Sequence, residues 1–291
     1  MKLLIIGSSG QLGKSIISGL NHYKYDAIFL DSKQLDISNK KNVAIKIKEI
    51  SPDLIVNAAA YTNVDKAEVS IELAFKVNAA GPENIVEACK SKNIPIIHIS
   101  TDYVFDGLKS SPYKPSDTTN PISVYGKSKL AGEHFIENYD HGFIIRTSWL
   151  FSEFNNNFYS TILHLANHHN EVKVVNDEIG CPTYAGDLSE AILKSAPKII
   201  SGKLSPGTYH FSGDNPCSWY QFAEIIIREG YAQKKIKTLP KLIPVTSKEF
   251  HKNFSIRPKF SALDSTKLCI QLNVKTPQWE EAVSRLLLGQ T

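Results

Sequence analysis

Cysteine is scarce in this sequence: Cys89, Cys181, Cys217 and Cys269 lie far apart, and none forms a CxxC pair. That spacing excludes a disulfide framework and a cysteine zinc site, and it fits a reducing cytosol, so the expected location is cytoplasmic. Charge of one sign is also in short supply. A formal net charge of +4 suits an anionic small molecule but is too slight a footprint for nucleic acid. The clusters Lys40–Lys41 and Lys234–Lys237 read as solvated faces. Long apolar runs are missing: Leu3–Ile6 stops at Gly7, too short for a signal-peptide core, and no stretch approaches a membrane span. Neither a membrane nor nucleic acid is therefore an expected partner. There is no internal repeat and no low-complexity tract. His164 and His168 have helical i, i+4 spacing, but the glutamate of HExxH is absent between them, so they read as surface histidines and no metal is expected.

What the chain does have is length and a core. Its 291 residues, 42% hydrophobic and 21% charged, suit one large unit with a smaller companion, and two lobes imply a cleft. In the first half, short apolar runs alternate with amphipathic stretches. Strands are expected at Leu3–Ile6, Ala27–Leu30, Leu54–Asn57, Ile96–Ser100 and Phe143–Thr147. Helices are expected at Leu12–Leu20, Val43–Ile50, Leu73–Lys90 and Ser128–Asn138. This rhythm belongs to an α/β fold with a Rossmann-type, doubly wound parallel sheet. Leu108–Ile122 reads as a surface loop. Past about residue 150 the rhythm changes, with strands at Val172–Val175 and Thr208–Phe211 and helices at Leu188–Lys194 and Trp219–Gly230, as in a smaller C-terminal α/β lobe.

The first strand runs directly into Gly7-Ser8-Ser9-Gly10-Gln11-Leu12-Gly13, which opens the first helix. In that setting a GxxGxxG loop binds a dinucleotide: glycines let the backbone approach the pyrophosphate, and the helix start favours its charge. Residues 1–150 are thus expected to bind NAD(P), and 151–291 to be mainly a substrate lobe, leaving room for parts of it to return to the sheet. Asp31, at the end of the second strand, could hold an unphosphorylated ribose, which favours NADH. It could equally begin a turn, and Lys33 could tolerate the phosphate of NADPH, so either NADH or NADPH is expected.

Tyr125-Gly126-Lys127-Ser128-Lys129 puts a phenol and an ammonium one helical turn apart on one face. Carbonyl reduction needs a proton for the oxygen as hydride reaches the carbon, and the ammonium would lower the phenol's pKa toward the working range. Upstream, Ser100 and Thr101 end a strand at the sheet's ligand edge, where Thr101 can orient a carbonyl. Thr101, Tyr125 and Lys129 are the expected catalytic set, with Ser100, Tyr125 and Lys129 also touching the cofactor. His98, inside the same strand, reads as a satisfied core histidine.

With these motifs the chain resembles the extended short-chain dehydrogenase/reductases, and within them the dTDP-4-dehydrorhamnose reductase family. The resemblance runs nearly end to end. It is carried by GSSGQLG at Gly7–Gly13, DLIVNAAAYTNVDKAE at Asp53–Glu68, VNAAGPENI at Val77–Ile85 and STDYVFDG at Ser100–Gly107. YGKSKLAGE at Tyr125–Glu133, RTSWLF at Arg146–Phe151, IGCPTYAGDL at Ile179–Leu188 and PQWEEAVSRLL at Pro277–Leu287 continue it. The resemblance implies reduction of the C4 ketone of dTDP-4-dehydro-6-deoxy-L-mannose to dTDP-L-rhamnose, and a homodimer. It implies Thr101, Tyr125 and Lys129 as the catalytic triad, adenine contacts from Asp36 and Ile37, and cofactor-facing backbone at Ala58, Ala59 and Ala60. Thr62, Val64, Asp102 and Trp149 are implied near the substrate, a dTDP-linked keto-sugar, with Arg257 of Arg257-Pro258 against its diphosphate. Asn157 and Phe158 could reach the nucleotide sugar, although capping explains the asparagine as well. Two positions depart from the family pattern: Ser15 stands where some members carry a metal-linking glutamate, and Glu178 where glutamine is commoner. Two alternatives stay open, a reductase for another nucleotide-linked 4-keto-6-deoxysugar and a non-catalytic, dinucleotide-binding regulatory subunit on the same fold.

Overall fold

The computed structural model describes residues 1–250 and 255–289. The strands β1 (Lys2–Ile6), β2 (Asp26–Leu30), β3 (Leu54–Asn57), β4 (Ile96–Thr101) and β5 (Gly142–Thr147) alternate with helices α1 (Gln11–Gly19), α2 (Lys40–Ile50), α3 (Val64–Val69), α4 (Ile71–Phe75), α5 (Gly81–Cys89) and α6 (Val124–Glu137). β1, β3, β4 and β5 are apolar through most of their length because helices cover both faces of the sheet. One core cluster packs α1 on one face, and the other packs α2 and α5 on the opposite face.

Beyond β5 the chain forms β6 (Leu150–Phe151), α7 (Phe158–His168), β7 (Glu171–Val175), β8 (Ile179–Gly180), β9 (Thr183–Tyr184), α8 (Ala185–Ile200) and β10 (Gly207–His210). Then come β11 (Cys217–Ser218), α9 (Trp219–Ala232), β12 (Lys241–Val245), α10 (Ser247–Phe250), α11 (Thr266–Leu272) and α12 (Trp279–Leu288). β10 does not stay with the second lobe. It pairs in parallel with β5, giving a six-stranded sheet of order β10-β5-β4-β3-β1-β2, while α8 and α11 join the core cluster of α1. The remainder, α7, α9, α12 and the β7–β12 pair, gathers round Phe151, Phe222 and Trp279 in a core of its own.

The helix expected at Leu188–Lys194 is longer, Ala185–Ile200, and two other helices differ from the sequence-based expectation for a local reason. α6 begins at Val124, earlier than expected, because Ser123 caps it by accepting from the Gly126 amide at 3.1 Å. The single helix expected at Leu73–Lys90 is instead α4, a π-turn at Lys76–Ala80, and α5 starting at Gly81-Pro82. The π-turn turns Asn78 inward, where its amide group brackets the Tyr61 peptide, accepting from its N–H at 2.8 Å and donating to its carbonyl at 3.0 Å. The loop after β3 is thereby fixed at the carboxyl edge of the sheet. Among the described residues no helix is long and apolar enough to cross a membrane.

Candidate active site

The strand order reverses at β1, and the crevice outside the carboxyl ends there is where open α/β sheets bind ligands. The glycine loop lies in it. Gly7 has φ +89°, and a Cβ on it would come within 2.6 Å of the Ala59 nitrogen; a Cβ on Gly13 would sit 2.5 Å from the Gly7 carbonyl oxygen. The loop is therefore drawn tight against the Ala58–Ala60 segment. Gly10 caps α1 without a side-chain bond, so the first-turn amides stay open toward an anion. The loop at 152–157 folds over it, with Ser152 donating to Gln11 Oε1 at 3.1 Å and Asn155 donating to the Ser9 carbonyl at 2.9 Å.

A cleft of about 460 Å³ opens from this loop toward the second lobe. Gly10, Gln11, Leu12, Gly13, Ala58, Ala60 and Ser100 line one part of it, and Thr62, Val64, Asp102, Trp149 and Arg257 another. Thr101, Tyr125 and Lys129 line the same cleft. Ala59 packs behind this wall against the core. Asp31, Asp36 and Ile37 lie away from the cleft. Asp31 Oδ1 accepts from the Lys33 and Gln34 amides at 2.9 and 3.0 Å, so this carboxylate does begin a turn. Asp36 accepts from the amide and hydroxyl of Ser38, and the Ile37 side chain is buried against Gly81.

The catalytic candidates are almost wholly buried. Thr101 donates to Asp102 Oδ1 at 3.0 Å and accepts from the Tyr103 amide. Burial pushes the Tyr125 phenol up to about 12, outweighing the influence of the Thr101 hydroxyl, which acts the other way. The expectation that Lys129 would pull this pKa down is not met. Lys129 Nζ donates to the Ile99 carbonyl at 2.7 Å and lies 3.3 Å from His98 Nε2. Burial lowers Lys129 to about 8, opposed by Glu133 one turn further along α6. Glu133 itself is locked to Arg146 on β5 by a two-pronged pair of 2.6–3.2 Å. Asp102 is pushed up to about 6, chiefly by burial, and its Oδ2 has no hydrogen-bond partner among the described residues.

At the far wall, Arg257 Nη2 lies 3.2 Å from Asp65 Oδ2, and its buried Nε has no partner among the described residues. Trp149, held at φ +46°, stacks flat on Trp219 with centroids 3.4 Å apart. Asn157 caps α7 in a capping box with Ser160, and Phe158 stacks on Phe222 and packs tilted against Trp219; neither lines the cleft. His164 and His168 stack on each other on the outer face of α7. Ser15 is buried beneath Ser189 of α8.

Sequence reasoning missed Trp219, Tyr103 and Asn78. Trp219 follows Ser218, whose capping box marks only a helix start, and the fold alone brings it to Trp149. Tyr103 contacts Tyr125 edge-on at 5.4 Å and had been read only as part of a motif. Asn78 belongs to the VNAAGPENI motif, but its contact with Tyr61 depends on the π-turn, which the motif does not show.

Comparison with known proteins agrees with this fold. The family model described as RmlD substrate binding domain matches residues 1–290. A dTDP-4-dehydrorhamnose reductase of Aggregatibacter actinomycetemcomitans is 41% identical over 288 residues, covering 98% of each chain. The crystal structure of a dTDP-4-dehydrorhamnose reductase from Bacillus anthracis str. Ames in complex with NADP superposes with a TM-score of 0.90 at 38% identity, covering 99% of each chain. An orthologue from Clostridium acetobutylicum ATCC 824 gives the same score and identity over 100% of both.

Proposed function

The chain belongs to the dTDP-4-dehydrorhamnose reductase family, and we propose that its cleft reduces the C4 ketone of dTDP-4-dehydro-6-deoxy-L-mannose to dTDP-L-rhamnose with NADH or NADPH. The observation that carries this reading is the meeting of Thr101, Tyr125 and Lys129 in one cleft with the open amides of α1.

The tight glycine loop fits a dinucleotide, which supplies the hydride when bound. Gly7, Gly10, Gln11, Leu12 and Gly13 would hold its diphosphate, Ala58, Ala59, Ala60 and Ser100 its flank, and Asp31, Asp36 and Ile37 its adenosine end. Tyr125 passes its proton to the C4 oxygen as the carbonyl carbon becomes a carbinol. The burial that raises its pKa keeps the phenol loaded at neutral pH. Thr101 turns its single hydroxyl proton from Asp102 to the substrate oxygen, fixing the carbonyl's direction. The positive charge of Lys129 then stabilises the phenolate left on Tyr125. Arg257, anchored by Asp65, offers its spare Nε to the diphosphate of the nucleotide sugar. Thr62, Val64, Asp102 and Trp149 surround the sugar.

In this reading residues 1–150 form the NAD(P)-binding domain and 151–291 mainly the substrate lobe, with β10, α8 and α11 built into the sheet's core. Four buried free cysteines suit a cytoplasmic enzyme, and family resemblance suggests a homodimer. The test is to supply enzymatically generated dTDP-4-dehydro-6-deoxy-L-mannose with each coenzyme, follow loss of the coenzyme's near-ultraviolet absorbance, and identify the product by NMR. Formation of dTDP-L-rhamnose is expected. Folded protein that binds a coenzyme but oxidises neither would overturn the reading.

A further inference from the structure

Lys129 sits at the end of a buried chain of polar groups that the chemistry above does not use. His98 on β4 is 0% exposed, and its Nδ1 lies 3.0 Å from Nδ2 of Asn57 on β3, also 0% exposed. Asn57 is itself oriented, because its Oδ1 accepts from the backbone N–H of Ala59 at 3.2 Å. The amide nitrogen must therefore face the imidazole, and an amide nitrogen only donates. Nδ1 accepts, so the ring proton of the neutral imidazole is on Nε2, aimed at Lys129 Nζ 3.3 Å away. A second ring proton is disfavoured, since burial and then Lys129 hold His98 well below the usual histidine range. An N–H directed at Nζ can be accepted by an uncharged amine but not by an ammonium.

We propose that Asn57 and His98 are positioning residues that hold the Lys129 amine at the floor of the cleft and weaken its hold on a proton. Among the described residues the charged and titratable groups facing Nζ are few. Tyr125 and Glu133 belong to α6, His98 to β4, and β3 contributes only Asn57, which does not titrate. Glu133 would favour the ammonium, but Arg146 on β5 already claims its carboxylate. The tautomer of His98 thus sets the pH at which Lys129 gains the charge that steadies the Tyr125 phenolate. This inference rests on that role for Lys129, but its first test does not.

Long-range ¹H–¹⁵N correlation on the full chain with ¹⁵N-histidine reads the tautomer directly, with His98 assigned by the signal lost in His98→Gln. The neutral Nε2–H form is expected through the neutral range; an Nδ1–H form or an imidazolium would overturn the proposal. Asn57→Asp replaces the donor with an acceptor, moving the ring proton to Nδ1 and turning the Nε2 lone pair toward the ammonium. The alkaline limb of kcat/KM for the coenzyme should then move up by about one pH unit or more. A lower rate at every pH with the limb unmoved would be a merely structural effect and would overturn it. Should Asn57→Asp not fold, the tautomer of the unsubstituted chain still decides.

Discussion

Burial moves Tyr125 and Lys129 in opposite directions along the pH axis, the phenol up to about 12 and the amine down to about 8. Each shift favours the uncharged form, as desolvation requires. Asp102 follows the same rule, rising from 3.8 to about 6 against the pull of its hydrogen bonds. Between those two values the folded chain keeps a proton that the unfolded chain has released, so stability falls as pH rises through this window and stays lower above it. Asp102→Asn is therefore expected to raise the neutral-pH melting temperature, by roughly 1–3 kcal/mol of stability, and to do little below the unfolded aspartate's pKa. Equal melting temperatures at neutral pH would contradict it. Arg257 makes a different kind of prediction. If its spare Nε meets the diphosphate, Arg257→Ala should raise KM for the nucleotide sugar by roughly 10–100-fold, the equivalent of one charge-assisted hydrogen bond, and change kcat much less. Steady-state kinetics separates the two.

Helix α6 carries Tyr125, Lys129 and Glu133 at four-residue steps, all buried along one face. Its far end is pinned to β5 by the Glu133–Arg146 pair, which is shielded from solvent. Glu133→Gln leaves a guanidinium buried without its partner, and a loss of about 3–5 kcal/mol in a denaturant titration is expected. Arg146→Met alone should do likewise, and the double variant should lose less than the two single losses added together. The YxxxK spacing was legible because helical geometry alone puts those two side chains on one face. The glycine loop was legible because strand, loop and helix follow one another in sequence, as were β1, β3, β4 and β5, whose apolar runs reflect burial on both faces. The break at Lys76–Ala80 was not legible, since it serves Asn78's contact with Tyr61, a tertiary demand that leaves no periodic trace. Nor was the facing of His98 and Asn57, which depends on the register of β3 against β4.

Across the whole molecule, one sheet edge and a second lobe share a single cleft. Sequence order hid how they interlock, because β10 returns to the edge of the sheet and the loop at 152–157 reaches back over the glycine loop. The stack of Trp149 on Trp219 spans the interval from the end of β5 to α9 and is likewise a product of the assembled fold. In the proposed mechanism binding and chemistry are held by different parts: the glycine loop and α1 would grip the coenzyme, and α6 would supply the proton. They should separate on substitution. The decisive measurement compares turnover of the keto-sugar with coenzyme affinity in the parent chain and in Tyr125→Phe. Coenzyme binding should be largely retained while kcat falls by roughly 10²–10⁴-fold; turnover close to that of the parent chain would show that Tyr125 is not the proton donor.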